Sequence, residues 1–525
     1  MHGKFVQYAD GVCQYHSSTQ HFCHPVLERE LKLYVPEQSR KGLLDQIAAL
    51  NPSIQPLHAI YFDTPSRTLA KARVALRLRL EGDQWIQTLK AAGPDELSKL
   101  EYNHVRPMPT LDLTLYDNLP AAAVVQQHAA QLAPRYETRI ERQHVRLDCA
   151  GSIVEIALDK GVIQSGHVEL PVNEIEFELI EGDVASIFQL GGQWMEQFGL
   201  IIDLRSKSER GDILAQVVNC GATSPEAVHD ALYQAYRLHT HAFPTIHNLQ
   251  QGYVDSALLY LGQIIRNASL LAGIDDHEAD EEQQATYLAL MRVGMRRLRS
   301  CRRLFSPWMS TAEQAATREM RPFFAMFGEA RDSDLLSLET LPRLMLAGLP
   351  GPALVLPTTA STSAEIQQLA ASSSFQRCLL SNLAQLLSGQ NLVEEERHDA
   401  QPKPYLALHA VLRAQLQSIQ LRSQNFAELS QRQQHRLRNR IKTLRYCLEF
   451  LGTSSHRPLY DALRNTQHFL GKITDCDVTH EWCQQHLDDL EQRYWALGWL
   501  TATRQHYVKQ AKKVLKQLVH TAYPD

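Results

Sequence analysis

Three alternate residues, Glu28, Glu30 and Lys32 in the stretch VLERELKLYV, could do chemistry together. Along a strand, alternate side chains project to one side, so two carboxylates and an ammonium would share a face. Hard divalent cations such as Mg2+ take carboxylate oxygens and share their shell with substrate phosphates, while a lysine neutralises anionic oxygen. Read blandly, the same row is a solvated strand face, and further rows bear on the choice. Arg77 and Arg79 alternate in VALRLRLEG, Lys90 ends WIQTLK, and Glu174, Glu176 and Glu178 alternate in EIEFELIEG. Lys99 with Glu101, Arg142 with Arg146, and Glu155 with Asp159 continue the pattern.

The elements that must position these residues are short strands. Apolar Val26, Leu27, Leu31, Leu33 and Val35 ahead of Pro36 predict a strand, and residues 39–50 predict a short amphipathic helix. Residues 57–65 read as a strand stopped by Asp63, Thr64 and Pro65, and Gly82-Asp83 signals a hairpin. At least six strands carry apolar residues on one face and charge on the other, largely segregated by sign. A closed sheet uses this by turning charge inward to line a polar lumen. Arginines and lysines there would bind phosphate oxygens, and carboxylates would hold metal against them. An ion-paired outer face is the structural alternative. Phosphoryl transfer to water suits the lumen, because positioning and charge neutralisation supply most of the acceleration. His58, His104 and His144 lie on or beside strands and read as packing or rim residues.

At 525 residues the chain is expected to form two to four domains, and 44% hydrophobic with 21% charged residues is a globular composition. No apolar run is long enough to span a membrane, and residues 1–24 lack the apolar core of a signal peptide, so they read as an extension. Nine scattered cysteines without Cys-x-x-Cys spacing fit a reduced, cytoplasmic compartment. With a net charge of −5, any polyanion site must come from local clustering. The expected domains are a catalytic unit over 25–217, a linker over 218–240 and a helical unit over 241–522.

The helical unit reads as two copies, with Pro- and Ser-rich residues 349–364 between them. RVGMRRLRSCRRLF from residue 292 resembles RNRIKTLRYCLEFL from residue 438, and GEARDSD from 328 resembles GKITDCD from 471. Arg292, Arg296, Arg299 and Arg303 share one helix face, as do His435, Arg438, Lys442 and Arg445. Acids are absent from 292–303 and from 435–445, so these charges repel unless an anion meets them. A pseudo-twofold bundle would aim both stripes at one groove. Tyr446 is the only aromatic near the basic residues, so stacking platforms for nucleic acid are poorly supplied, whereas a chain of phosphates needs only charge.

The N-terminal motifs, taken in order, resemble the CYTH domain of the triphosphate tunnel metalloenzymes. They are Glu28-x-Glu30-x-Lys32, Tyr61-Phe62-Asp63-Thr64-Pro65, Leu76-Arg77-Leu78-Arg79, Thr88-Leu89-Lys90, Glu155 to Asp159, Glu176 to Leu179 and Ser206 to Gly211. The resemblance implies an α+β fold with a closed antiparallel tunnel of about eight strands and flanking helices. It also implies hydrolysis of inorganic triphosphate with Mg2+ or Mn2+. Glu28, Glu30, Glu176 and Glu178 would hold metal; Arg77, Arg79, Lys90, Arg142, Lys207 and Arg210 would bind substrate; Lys32, Glu155 and Asp159 would serve catalysis. Lys99 and Asp212 stand where relatives often carry arginine and tyrosine, which bears on substrate preference. Residues 240–520 resemble, more loosely, the all-α CHAD domain. That implies binding of inorganic polyphosphate through Arg292, Arg296, Arg299, His435, Arg438, Lys442 and Arg445. Ala289 replaces the first-copy equivalent of His435, so a symmetric histidine pair is not expected. Asp332, Asp334, Asp475 and Asp477 read as helix caps or arginine partners. Alternatives within these families are hydrolysis of thiamine or nucleoside triphosphate, adenylate cyclase activity, or polyphosphate binding without catalysis. No membrane partner is expected.

Overall fold

Strands with one apolar and one charged face are stable when the apolar face lies on a core and the charged face finds water or counter-charge. The computed structural model describes residues 26–93, 97–117, 119–221, 224–237, 249–334, 336, 340–351, 354, 363–389, 391–392, 404–449 and 456–524. The N-terminal extension expected over 1–24 lies outside them, as do 352, 353 and 355–362 of the Pro- and Ser-rich stretch.

The strands are β1 Val26–Tyr34, β2 Ser53–Asp63, β3 Val74–Glu81, β4 Gln84–Ala92, β5 Ser98–Arg106, β6 Ala133–Cys149, β7 Ser152–Ser165, β8 Val168–Glu181 and the short β9 Ile201–Ile202. They are ordered β5-β4-β3-β2-β6-β7-β8-β1-β9, and β1 also pairs with β5, closing eight antiparallel strands into a barrel. β1 closes it by dividing its length. Val26–Arg29 pair with Ser98–Glu101, and Glu30–Tyr34 pair with Glu174–Glu178. Gly82, at φ +60, makes the tight β3–β4 turn, a conformation that glycine adopts freely.

The apolar alternates form the core outside the barrel. Leu31, Leu33, Leu76, Leu89, Ile156, Ile175 and Phe177 are buried there. Helix Ala185–Phe198 covers β1 and β8, with Trp194 meeting Phe177 edge to face at 5.9 Å. Its Gly191 lets the helix approach closely, since a Cβ there would sit 2.5 Å from Leu31 Cδ2. A second cluster around Leu76, Leu89, Tyr102 and Tyr116 covers the far side with the short helices between β5 and β6.

Packing divides the chain into two units. The first joins Met1–Leu238 with Ile265–Asp280 and Gln367–Leu387; the second takes His239–Ile264, Glu281–Ile366 and Ser388–Asp525. Among the described residues the second unit is built from helices, including Glu281–Phe305, Arg321–Asp334, Pro404–Gln424, Gln431–Glu449, Arg457–His486 and Leu490–Val519. Pro225–Tyr236, inside the stretch expected to be a linker, is a helix. Its Ser-Pro pair opens the helix, with Ser224 capping the Ala227 amide and Val228, Leu232, Tyr233 and Tyr236 buried at helical spacing.

Candidate active site

Strand register places the charged alternates inside one barrel. Glu30 lies opposite Glu178 and Lys32 opposite Glu176 across β1–β8. Glu155 lies opposite Glu178 and Asp159 opposite Glu174 across β7–β8, while Arg142 faces Asp159 across β6–β7. Lys90 faces Glu101, and Arg77 faces Tyr61.

These groups sort into two kinds. Some are already paired. Lys90 bridges Glu28 at 2.6 Å and Glu101 at 2.7 Å. Arg142 grips Asp159 through two nitrogens at 2.7 and 2.6 Å and reaches Glu176, and both acids hold it charged although burial opposes this. Lys207 joins Asp159 at 2.6 Å, Glu176 at 2.8 Å and also Glu174. Asp159, Glu174 and Glu176 offer oxygens within 4.8 Å of one another, a set with the chemistry of a divalent-cation site. Glu155 takes Arg146 at 2.8 Å and His144 at 3.7 Å, which against burial holds it down at about 2.

Others are electrostatically unsatisfied. Burial, then Glu28 and Glu176, push Glu30 up to about 7. Burial, then Glu28, Glu155 and Glu30, push Glu178 up to about 8. Burial and the neighbouring Arg77 and Arg142 pull Arg79 down to about 10, even with Glu81 in contact. Two carboxylates that resist ionising, beside an arginine, Arg79, that resists charging, favour a cation on one side and an anion on the other.

Two expected site residues point elsewhere. The Lys32 ammonium donates to the Arg205 carbonyl. Arg210 is 1% exposed and is shared by Glu174, the Pro171 carbonyl and Asp275, so its charge is committed within the protein. Asp212 pairs with Arg67 at 2.6 Å. Sequence reasoning passed over Glu174, Glu101 and Tyr61 as site residues. The first two were visible as strand alternates. Tyr61 shows its role only in space, accepting from Arg77 at 3.4 Å and stacking on Tyr136.

In the second unit, helices Glu281–Phe305 and Gln431–Glu449 pack together and bring the basic stripes to one place. Burial, then Arg296, Arg438, Arg292 and Arg445, pull Lys442 down to about 7. The two copies repeat a contact. Arg292 donates to the Gly328 carbonyl at 3.1 Å, and Arg438 passes over Gly471, where a Cβ would lie 3.8 Å from its Nη2. Arg299 is exposed and lies over the Phe324 ring at 5.6 Å, an aromatic that the sequence pattern did not place. His435 is largely exposed, and partial desolvation together with the neighbouring Arg438 and Lys442 charges lowers its pKa. Arg445 is held by Glu449 at 2.8 Å and by Tyr460 at 2.9 Å. Asp475 and Asp477 lie inside helix Arg457–His486, so they are not caps; they meet Lys472 at 4.0 Å and Arg504 at 2.6 Å. The side chains of Asp332 and Asp334 lie outside the described residues.

A closed antiparallel barrel with an acid-and-base interior, continued by basic paired helices, defines the class of protein. Residues 27–211 match the CYTH domain and residues 267–484 match the CHAD domain, so the chain carries a CYTH domain followed by a CHAD domain. Over 160 residues it is 30% identical to the inorganic triphosphatase of Haemophilus influenzae, covering 29% of this chain and 44% of that protein. The chain thus spans less than half the length of that curated relative. Among solved structures it is similar to the CHAD domain of Ricinus communis, at 22% identity and TM-score 0.37, covering 55% of this chain and 99% of that one. It is also similar to an adenylyl cyclase-type protein of Hippeastrum described as having dominant triphosphatase activity, at 18% identity and TM-score 0.28, covering 38% and 98%. Among the described residues no helix is long and apolar enough to cross a membrane.

Proposed function

We propose that the barrel hydrolyses inorganic triphosphate to diphosphate and phosphate, and that the helical unit binds inorganic polyphosphate. The observation that carries the reading is the pairing of Glu30 with Glu178, which take part in no ion pair among the described residues, inside the barrel that also crowds Arg77, Arg79 and Arg142. Hard carboxylate oxygens fit Mg2+ or Mn2+, with Glu28, Glu30, Glu176 and Glu178 as the residues that would hold it. Such a cation, when bound, neutralises phosphate oxygens and lowers the pKa of water.

The chain's own residues then divide the work. Arg77, Arg79, Lys90 and Arg142 neutralise successive phosphates and hold the chain in line for attack on the terminal phosphorus. Water adds to that phosphorus, the bridging P–O bond breaks, and diphosphate leaves with the electron pair. Asp159, buried beneath Arg142 and Lys207, keeps both cations aimed at the lumen. Glu155, ionised and held by Arg146, adds negative charge beside Glu178. In the helical unit Arg292, Arg296, Arg299, Arg438 and Lys442 would meet phosphates, with His435 at the edge. The seven described cysteines form no disulfide with one another, which supports a reducing, cytoplasmic setting.

The test is phosphate release by the purified chain from inorganic triphosphate, thiamine triphosphate and ATP, with Mg2+ or Mn2+ and with chelator. Release from inorganic triphosphate above the others supports the reading. Polyphosphate binding without release from any of them would make the protein a binder.

A further inference from the structure

The loop Gly273–His277 belongs to the stretch Ile265–Asp280 that packs with the barrel's unit, although it lies more than sixty residues beyond the last of the barrel's interior residues. Its backbone is costly. Gly273, Asp275 and Asp276 have φ of +82, +61 and +56, and non-glycine residues enter this left-handed region only when their surroundings hold them there. Side chains at the end of β1 and on the helix Glu37–Ala48 that follows it do so. The Tyr34 hydroxyl donates to Asp276 Oδ1 at 2.7 Å, the Asp276 amide donates to the same hydroxyl at 3.0 Å, and Arg40 reaches Asp276 Oδ2 at 2.6 Å. Tyr34 ends β1 opposite Glu174, on the same face as Glu30 and Lys32.

Asp275 is 5% exposed and serves two buried guanidiniums. Its Oδ2 accepts from Arg205 at 2.8 Å and its Oδ1 from Arg210 at 3.0 Å. Arg205 has a second carboxylate, Asp203, bound through two nitrogens at 2.9 and 2.8 Å. Arg210 has only Glu174, more loosely at 3.3 Å. Glu174 in turn meets Lys207, which holds Asp159 and Glu176. An unbroken line of charge therefore runs from Asp275 through Arg210 to the carboxylates of the barrel.

We propose that Asp275 is a positioning residue for the barrel's cation site, holding Arg210 back from Glu174 so that Lys207 stays shared between Glu174 and Glu176 and does not concentrate its charge on Glu176. This rests on the metal reading above. Without the Asp275 charge, Arg210 has one carboxylate left and closes on Glu174. Lys207, freed from Glu174, then bears harder on Glu176, and buried positive charge rises beside the metal-binding oxygens. The domain boundary that sequence motifs suggest would thus cut through the support of the active site.

The test is Mn2+ binding to the full chain by calorimetry, which needs no turnover. Asp275→Asn keeps the size and tolerates the left-handed backbone, and its affinity should fall about tenfold, as for other partners of metal-binding carboxylates. In an Arg210→Gln background the same change should alter affinity less than about twofold, since Asp275 acts through Arg210; a merely structural role gives additive losses. Should Asp275→Asn fail to fold, Arg210→Gln alone should still shift Mn2+ affinity. Wild-type binding with a folded Asp275→Asn variant of equal affinity overturns this inference and leaves the metal reading standing, as does equal affinity in Arg210→Gln. A wild-type chain that binds no Mn2+ overturns both.

Discussion

Glu30 and Glu178 face each other with Glu28 close by, and burial with mutual repulsion keeps them at about 7 and about 8. Their folded values lie above the usual carboxylate range, so the protonated forms are favoured by folding. The stability they contribute is fully present below that usual range and is lost as pH rises through 7 to 8. The metal-free protein should therefore melt at a lower temperature at about pH 8.5 than at about pH 6, and Mg2+ or Mn2+ should remove much of the difference. Thermal unfolding with and without chelator checks this; equal melting at both values without metal would contradict the placement of these carboxylates. Glu178→Gln removes an oxygen of the proposed metal site and a repulsive charge together. Turnover of triphosphate should fall by about a hundredfold or more, while melting of the chelated protein near pH 8.5 stays the same or rises. Wild-type turnover in that variant would remove Glu178 from the metal assignment.

At the scale of elements, two helices carry the second proposed site. Lys442 sits among Arg292, Arg296, Arg438 and Arg445, an arrangement that costs the free bundle energy which a polyanion would relieve. Arg438→Ala should weaken polyphosphate binding about tenfold, the scale of one charged hydrogen bond, as measured by titration at fixed salt. Unchanged affinity would move the groove elsewhere. In the barrel, Gly191→Val would drive a side chain into Leu31 Cδ2 and should lower stability by about 1–3 kcal/mol in chemical denaturation. The strands were legible because a two-residue period writes their faces directly into the chain, as Glu28, Glu30 and Lys32 against Leu31 and Leu33 illustrate. The helical stripes were legible for the same reason at a longer period. Phe324, which meets Arg299 from another helix, left no trace in either pattern. The helix Pro225–Tyr236 was obscured by Ser224 and Pro225, which punctuate loops and open helices alike.

For the whole molecule, what the sequence hides is chiefly long-range. Asp275 and Arg210 stand 65 positions apart, and only folding shows that residues 265–280 and 367–387 pack with the barrel. Arg210 lay in a recognisable motif, yet its burial against Glu174 and Asp275 depends on that packing. The barrel's closure, by contrast, follows from β1 sharing its edge between β5 and β8, which sets Glu30 opposite Glu178. Phosphate released from inorganic triphosphate by the 525-residue chain, with Mn2+ or Mg2+ and again with chelator, is the measurement on which the account turns. Rapid release that chelation abolishes and Glu28→Gln lowers by about a hundredfold is the expected result. Release that persists in chelator, or none at any metal concentration, would contradict it.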